Sequence, residues 1–309
     1  MNQTTQLVTL TDQGLIRASG ADAASFLHNL LTNDIEHIPA GGARNAGLCT
    51  AKGRLIASFL IWREGEDFLL QLSADILPAI LKKLSMYVLR SKVKLTDLAA
   101  ERVQVGVSGP QAVDAVKSLG AQVCDAMTTA SFDGGTAVRL DEQRFILSIQ
   151  SDKSAAILAK LATQTQAAGL DAWHLGEIAA GIPRIVAATQ EAFVPQMVNY
   201  EVAAVGGVSF QKGCYPGQEI VARTQYLGKI KRRMYRGKLD TPFPAGTDVF
   251  TSESGDQHCG AIVLTAPSPA GGYESLLVVQ SSGAEAGEVH VGSPTGPRAQ
   301  LLEMPYTVA

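Results

Sequence analysis

Only four cysteines occur in the 309 residues, Cys49, Cys124, Cys214 and Cys259. They lie far apart with no C-x-x-C pair, which gives neither a zinc-ligand spacing nor a disulfide framework; each reads as a free thiol, and no resident metal is expected. Positive charge is also short: 26 Lys plus Arg against 29 Asp plus Glu leave a net charge of −3. The field of the whole chain therefore offers a phosphate backbone no attraction, and direct nucleic-acid binding is not expected. No apolar run reaches membrane-spanning length, and MNQTTQLVTLTD lacks the basic start and apolar core of a secretory signal, so the expected compartment is the cytoplasm, with no membrane partner. Charged residues make up 18% and hydrophobic residues 46%, the balance of a chain that buries a core.

The apolar residues that are present recur with clear periods. Residues 7–17 read as two short strands about a turn at Asp12–Gly14. In ADAASFLHNLLTNDI, Ala23, Phe26, Leu27, Leu30 and Leu31 mark a helix with Asp22 as a first-turn acid, ended by Asn33–Asp34. RLIASFLIW and DFLLQLS flank the charged turn REGED as a hairpin, and Ile76, Ile80, Leu81, Leu84 and Val88 mark a second helix with Lys82 and Lys83 on its wet side. SKVKLTDL reads as a strand, and RVQVGVSG and RFILSIQ each read as a strand leading into a helix. Beyond about residue 230 the helical period vanishes, and short strands split by Gly, Pro and Ser predict a small antiparallel β-barrel. The fold class is α+β.

One window, FQKGCYPGQEIVAR (Phe210–Arg223), concentrates chemistry. Pro216 suits the first position of a helix running to about Thr224, with Ile220, Val221 and Thr224 inward; Tyr215 is then the N-cap and Gln218 half of a capping box, while Glu219 complements the positive helix end. Cys214 would sit just before a helix N-terminus with Lys212 two residues away, a setting that favours the thiolate. The same residues also read as a tight strand-to-helix turn around a small core thiol, and local chemistry leaves both readings open.

The string K-G-C-Y-x-G-Q-E, here Lys212 to Glu219, resembles the signature of the YgfZ family of folate-binding, tRNA-modification-linked proteins. The resemblance continues through WHLGEIAAGIPRI, FVPQMVNYEVAAVGGVSF, GADAASFLHNLLTNDI, AKGRLIASFLIW and RSKVKL. It implies the fold of the glycine-cleavage T protein, a tetrahydrofolate-dependent aminomethyltransferase: three domains in a ring around a folate-sized central cavity. The domains would be 1–100 (with part of 170–230 packing onto it), 101–229, and the barrel 230–309. The implied role is support of iron–sulfur cluster assembly or repair, and through a cluster enzyme such as a tRNA methylthiolase, of tRNA modification. Cys214 would be its critical side chain, with Lys212, Tyr215, Gln218 and Glu219 around it. The implied cofactor is tetrahydrofolate or a derivative, with Trp173 packing on its ring, Asn33 and Asp34 of the T-x-D element lining the cavity, and Asn199 as a donor to the ligand. An indole gains from offset stacking on a flat ring, while a buried core anchor is the other reading of Trp173.

The chain departs from the transferase at the carboxylates. GRLIAS places Ala57 and Ser58 where the acids would stand, and EIAAG places Ala179 at the pterin-binding glutamate, with Glu177 two positions earlier. Gln13 stands where some relatives carry a tryptophan. An alanine moves no proton, so the accessory role leads over two alternatives, a one-carbon transferase and a protein-interaction scaffold with a vestigial cavity. The basic run KIKRRMYRGK reads as a solvated strand, and His258–Cys259 as structural, since adjacent strand residues point to opposite faces.

Overall fold

The computed structural model describes residues 4–122, 125–228 and 230–308; Cys124 and Lys229 lie outside them. In chain order the elements are β1 (Gln6–Thr9), β2 (Gln13–Ser19), α1 (Ala23–Leu30), β3 (Ala43–Cys49), β4 (Leu55–Glu64), β5 (Asp67–Ser73), α2 (Leu77–Val88), β6 (Lys94–Asp97) and β7 (Arg102–Ser108). There follow α3 (Ala112–Ser118), the hairpin β8 (Thr128–Phe132) and β9 (Gly135–Arg139), β10 (Arg144–Gln150), α4 (Ser154–Leu161), β11 (Gln166–Ala167), α5 (Leu170–Ala179) and α6 (Gln218–Tyr226). The last are β12 (Arg232–Leu239), β13 (Asp248–Thr251), β14 (Gly260–Pro267), β15 (Tyr273–Gln280), α7 (Ser281–Ala286), β16 (Val289–Val291) and β17 (Gln300–Leu302). The chain divides into two units, residues 1–28, 34–44 and 59–173 in one and residues 29–33, 45–58 and 174–309 in the other.

In the first unit, strands run β11-β1-β7-β10-β9-β8 in a six-stranded sheet; β3-β4-β5-β2-β6 is the order of a second, five-stranded sheet. Period-two alternation sorts the larger sheet's residues between two cores. Val105, Val107, Phe145 and Leu147 face Ala112, Val116, Ile157 and Leu161 of α3 and α4. Val138 and Ile146 face the other way, into a core with Leu15, Leu60, Trp62 and Trp173.

In the second unit a six-stranded antiparallel sheet, β16-β13-β14-β15-β12-β17, carries the C-terminal quarter. The expected β-barrel is a curled sheet: β16 and β17 are its edges, and the segment entering β17 reaches back, with Val291 N donating to Pro297 O (3.0 Å) and Ala299 N to Val289 O (2.8 Å). Both edge strands span three residues, and Pro297 has no N–H to extend the ladder. The basic run is less solvated than its composition suggests. Arg233 is buried against Glu201, and Arg236 pairs with Glu274 at 3.0 Å.

Candidate functional site around Cys214

The turn between β3 and β4 is built by backbone bonds, Gly53 N to Thr50 O (2.9 Å) and Thr50 N to Arg54 O (2.8 Å). Against it lies Gly217, at φ +81°, where an added Cβ would stand 2.3 Å from the Thr50 carbonyl oxygen and 2.7 Å from Gly53 Cα. The glycine of the motif is therefore required twice, for its left-handed backbone and for the close approach. It also moves the helix start. α6 begins at Gln218 with Gly217 as N-cap, and Pro216 and Tyr215 belong to the preceding turn, where Tyr215 O accepts from Gln218 N at 3.1 Å. Gln218 is thus the first helical residue and closes no capping box, Glu219 keeps its first-turn position, and Ile220 is exposed where an inward position was expected.

The rest of the loop is tied to the end of α1, which stops at Leu30, short of Asn33–Asp34. Lys212 is buried, its ammonium donating to the Leu31 carbonyl at 2.9 Å and lying 4.8 Å from the centre of the Tyr215 ring. The charge expected to act on the thiol is directed inward instead. Thr32 Oγ1 donates to Gly207 O (2.6 Å) and accepts from Gly47 N (2.7 Å), while Asn33 Nδ2 donates to both Asn45 O and Gly206 O at 2.7 Å. Asn45 Nδ2 completes the clamp at Val205 O (2.8 Å). Sequence reasoning missed Thr32, Asn45 and Gly53: the first two bond backbone groups far along the chain, and Gly53, bonded within its own turn, meets Gly217 by close approach, so none leaves a local pattern.

Under the loop lies a buried polar group. Burial pushes the Cys49 thiol up to about 12, and raises the phenols of Tyr200 and Tyr215, each further raised by its proximity to Cys49. Tyr200 hydrogen-bonds Ser58, whose Oγ also accepts from Ile185 N at 2.8 Å. At the two positions where the resemblance implies the transferase acids, the chain has a fully buried Ala57 and a hydroxyl spent on backbone. By contrast Cys214 is exposed, whereas Cys49 and Cys259 are buried. Native protein treated with iodoacetamide should carry label on the Cys214 peptide, with Cys49 and Cys259 reacting only after denaturation, because the thiolate is the nucleophile and burial suppresses it. Peptide mapping by mass spectrometry checks this; equal labelling of Cys49 would show that the loop does not seal its interior.

The residues that the resemblance assigns to folate are engaged elsewhere. Trp173 is 1% exposed in the core of the first unit, its ring against Gly106, where a Cβ would come within 2.4 Å, and its indole N–H has no hydrogen-bond partner among the described residues. Asp34, also in the first unit, contacts the ring nitrogens of His37 (2.9 Å) and His28 (3.2 Å). Burial raises its carboxyl, but the His37 hydrogen bonds and the charges of both rings outweigh that and hold it below its ordinary value. Asn33 has its donors committed as above. Asn199, fully buried at φ +59°, gives Nδ2 to Met234 O at 2.9 Å. Each of the four is thus held by contacts within its own unit. Glu177 keeps one carboxylate oxygen buried without a partner among the described residues. No group of three or more His, Cys, Asp or Glu among the described residues is placed to hold a metal.

Comparison with known proteins fits this architecture. Residues 1–133 match the family model described as the GCVT N-terminal domain. The solved glycine cleavage system aminomethyltransferase T from Bartonella henselae has the same fold, with a TM-score of 0.79 over 98% of this chain and 86% of that one at 19% identity. The tRNA-modifying protein YgfZ of Vibrio vulnificus (strain YJ016) is 34% identical over 81% of this chain and 76% of its own length. That of Serratia proteamaculans is 30% identical over 98% and 93%. With relatives of this identity and coverage, and with the fold of the aminomethyltransferase, the chain belongs to the family of tRNA-modifying proteins named YgfZ.

Proposed function

We propose that this chain is an accessory protein that supports iron–sulfur cluster assembly or repair, and thereby tRNA methylthiolation, with Cys214 as its reacting group. The observation that carries the reading is the contrast among thiols: Cys214 is exposed on a loop pinned from two sides, while Cys49 and Cys259 are buried. A resident cluster calls for about four protein ligands, and no group of three candidate ligands is assembled among the described residues. One exposed thiol among the described cysteines suits a transient bond to a client's cluster, the thiol giving its proton to solvent and its sulfur taking the place of a departing ligand on the iron, with the remaining ligands on the client. Lys212 and Tyr215 hold the loop, and Gln218 and Glu219 open the helix that follows it; none of the four is assigned a proton-transfer step. Tetrahydrofolate enters this reading through family resemblance and fold, and no step is routed through it.

The test is complementation of a deletion strain. Cys214→Ala should leave tRNA methylthiolation, measured by nucleoside mass spectrometry, at the level of the deletion, while the purified variant melts as the parent does. Full methylthiolation with Cys214→Ala would overturn the proposal. The full-length likeness to an aminomethyltransferase supports a second reading, a one-carbon transferase, which formation of methylenetetrahydrofolate from an aminomethyl donor by the purified protein would establish despite Ala57 and Ser58.

A further inference from the structure

Three of the large apolar side chains left in water crowd one place, the C-terminal turn of α2: Met86 (62% exposed), Tyr87 (43%) and Leu89 (88%). The same stretch carries Lys82, Lys83, Arg90, Lys92 and Lys94, and no Asp or Glu occurs from residue 76 to residue 96. None of these five cations forms an ion pair among the described residues. The contrast with the run at Arg232–Lys238 is direct, since Arg233 and Arg236 there are neutralised within the protein. The backbone under the patch is fixed. Ser91 N donates to Val88 O (2.7 Å), Val93 N to Ser91 O (2.9 Å) and Lys92 N to Asp22 Oδ2 (2.7 Å), which spends the Asp22 carboxylate on an amide. Gly20 leaves no room for a Cβ against the Lys92 carbonyl, 2.2 Å away.

Protection of a free sheet edge accounts for Lys94, which lies on edge strand β6, but not for cations on α2 or for an exposed Tyr–Leu pair. Cations without counter-charges bind phosphates, and an exposed aromatic ring accepts the face of an unstacked base. We propose that the end of α2 together with residues 90–94 is an RNA-docking surface, with the five cations on the phosphate backbone and Tyr87, flanked by Met86 and Leu89, against a base of a single-stranded loop. The inference rests on the tRNA-linked function proposed above and names its RNA contact. A net charge of −3 makes such docking local and sensitive to salt.

The experiment titrates a fluorescein-labelled tRNA transcript with the full chain across a salt series and reads anisotropy. Five phosphate contacts to a single strand give a slope of about −3.5 in log K against log salt. Arg90→Glu with Lys92→Glu should weaken binding about tenfold or more and reduce the slope by about 1.5. Tyr87→Ala with Leu89→Ser should weaken it about tenfold with the slope unchanged. Cys214→Ala should bind as the parent does. The inference is overturned if the parent shows no salt-dependent binding or if the patch variants bind tRNA as tightly as the parent. It is also overturned if the patch governs binding to phosphatidylglycerol vesicles or polyglutamate and not to tRNA. Because Cys214→Ala is scored separately in cells, failure of the docking surface leaves the thiol reading standing, and the reverse also holds.

Discussion

Gly217→Ala should lower stability by about 2–5 kcal/mol and abolish function, although it adds one methyl group. An L-residue held in the left-handed region costs about 1–2 kcal/mol, and Gly217 sits at φ +81°. Overpacking a tight contact adds about 1–3 kcal/mol; here the new Cβ would meet the Thr50 carbonyl oxygen at 2.3 Å and Gly53 N at 2.7 Å. Both obstacles are backbone, so neither can turn aside as a side-chain end could. Relief requires the β3–β4 turn or the Cys214 loop to move, and either shift displaces the start of α6. Gly65→Ala is the matched control, with φ +63° and no atom within 4 Å of the added Cβ. It should show the conformational cost alone. Thermal melts of the two variants, together with iodoacetamide labelling of Cys214, separate the effects. Equal melting temperatures for the two would mean that the motif is not held by backbone-to-backbone contact with this turn.

The parts of the fold legible in the sequence are those where one period runs unbroken. The stripes of α1 and α2 and the runs of β4, β5, β7 and β10 place those elements within a few residues of their observed ends. Hydrophobic period does not reveal the hairpin β8–β9, whose Asp133–Gly134 stands between Phe132 and Gly135, which pair across a two-residue loop; its strands are short and small-sided, so the turn carries more information than the hydrophobicity. At the site, composition singles out Cys214, yet it does not place the helix start: proline at the first helical position is a common pattern, whereas here a left-handed glycine one residue later sets the boundary. Distance in sequence alone makes Lys212 an activating charge for the thiol. Its direction was not legible, because the Leu31 carbonyl that takes it lies 181 residues away. Long-range side-chain-to-backbone bonds of this kind have no sequence period, so the clamp by Thr32, Asn33 and Asn45 emerges only in three dimensions.

The same reasoning applies to the buried pair in the second unit, where Arg233→Met should cost about 3–5 kcal/mol at neutral pH, because removing one partner leaves the other charge uncompensated. The Glu201 and Arg233 side chains are 7% and 8% exposed, and Glu201 Oε2 is buried without a hydrogen-bond partner among the described residues. Burial raises the Glu201 carboxyl above its ordinary value, and the Arg233 hydrogen bond and charge oppose that rise. A carboxyl whose folded value lies above its unfolded one, near 4.5, contributes most favourably below the unfolded value, and that contribution is lost as pH rises through the folded value. Without Arg233 the folded value rises further, so the deficit of Arg233→Met should be largest in mildly alkaline buffer and shrink on acidification. Glu201→Gln in the Arg233→Met background should recover much of the loss, and Glu201→Leu with Arg233→Met should approach parental stability, since an apolar pair of similar volume avoids the desolvation of both charges. Denaturant melts of the parent, single and double variants at two pH values form the cycle. A deficit independent of pH, or single losses that simply add in the double variant, would show that Arg233 acts through packing on β12 and not through the charge of Glu201.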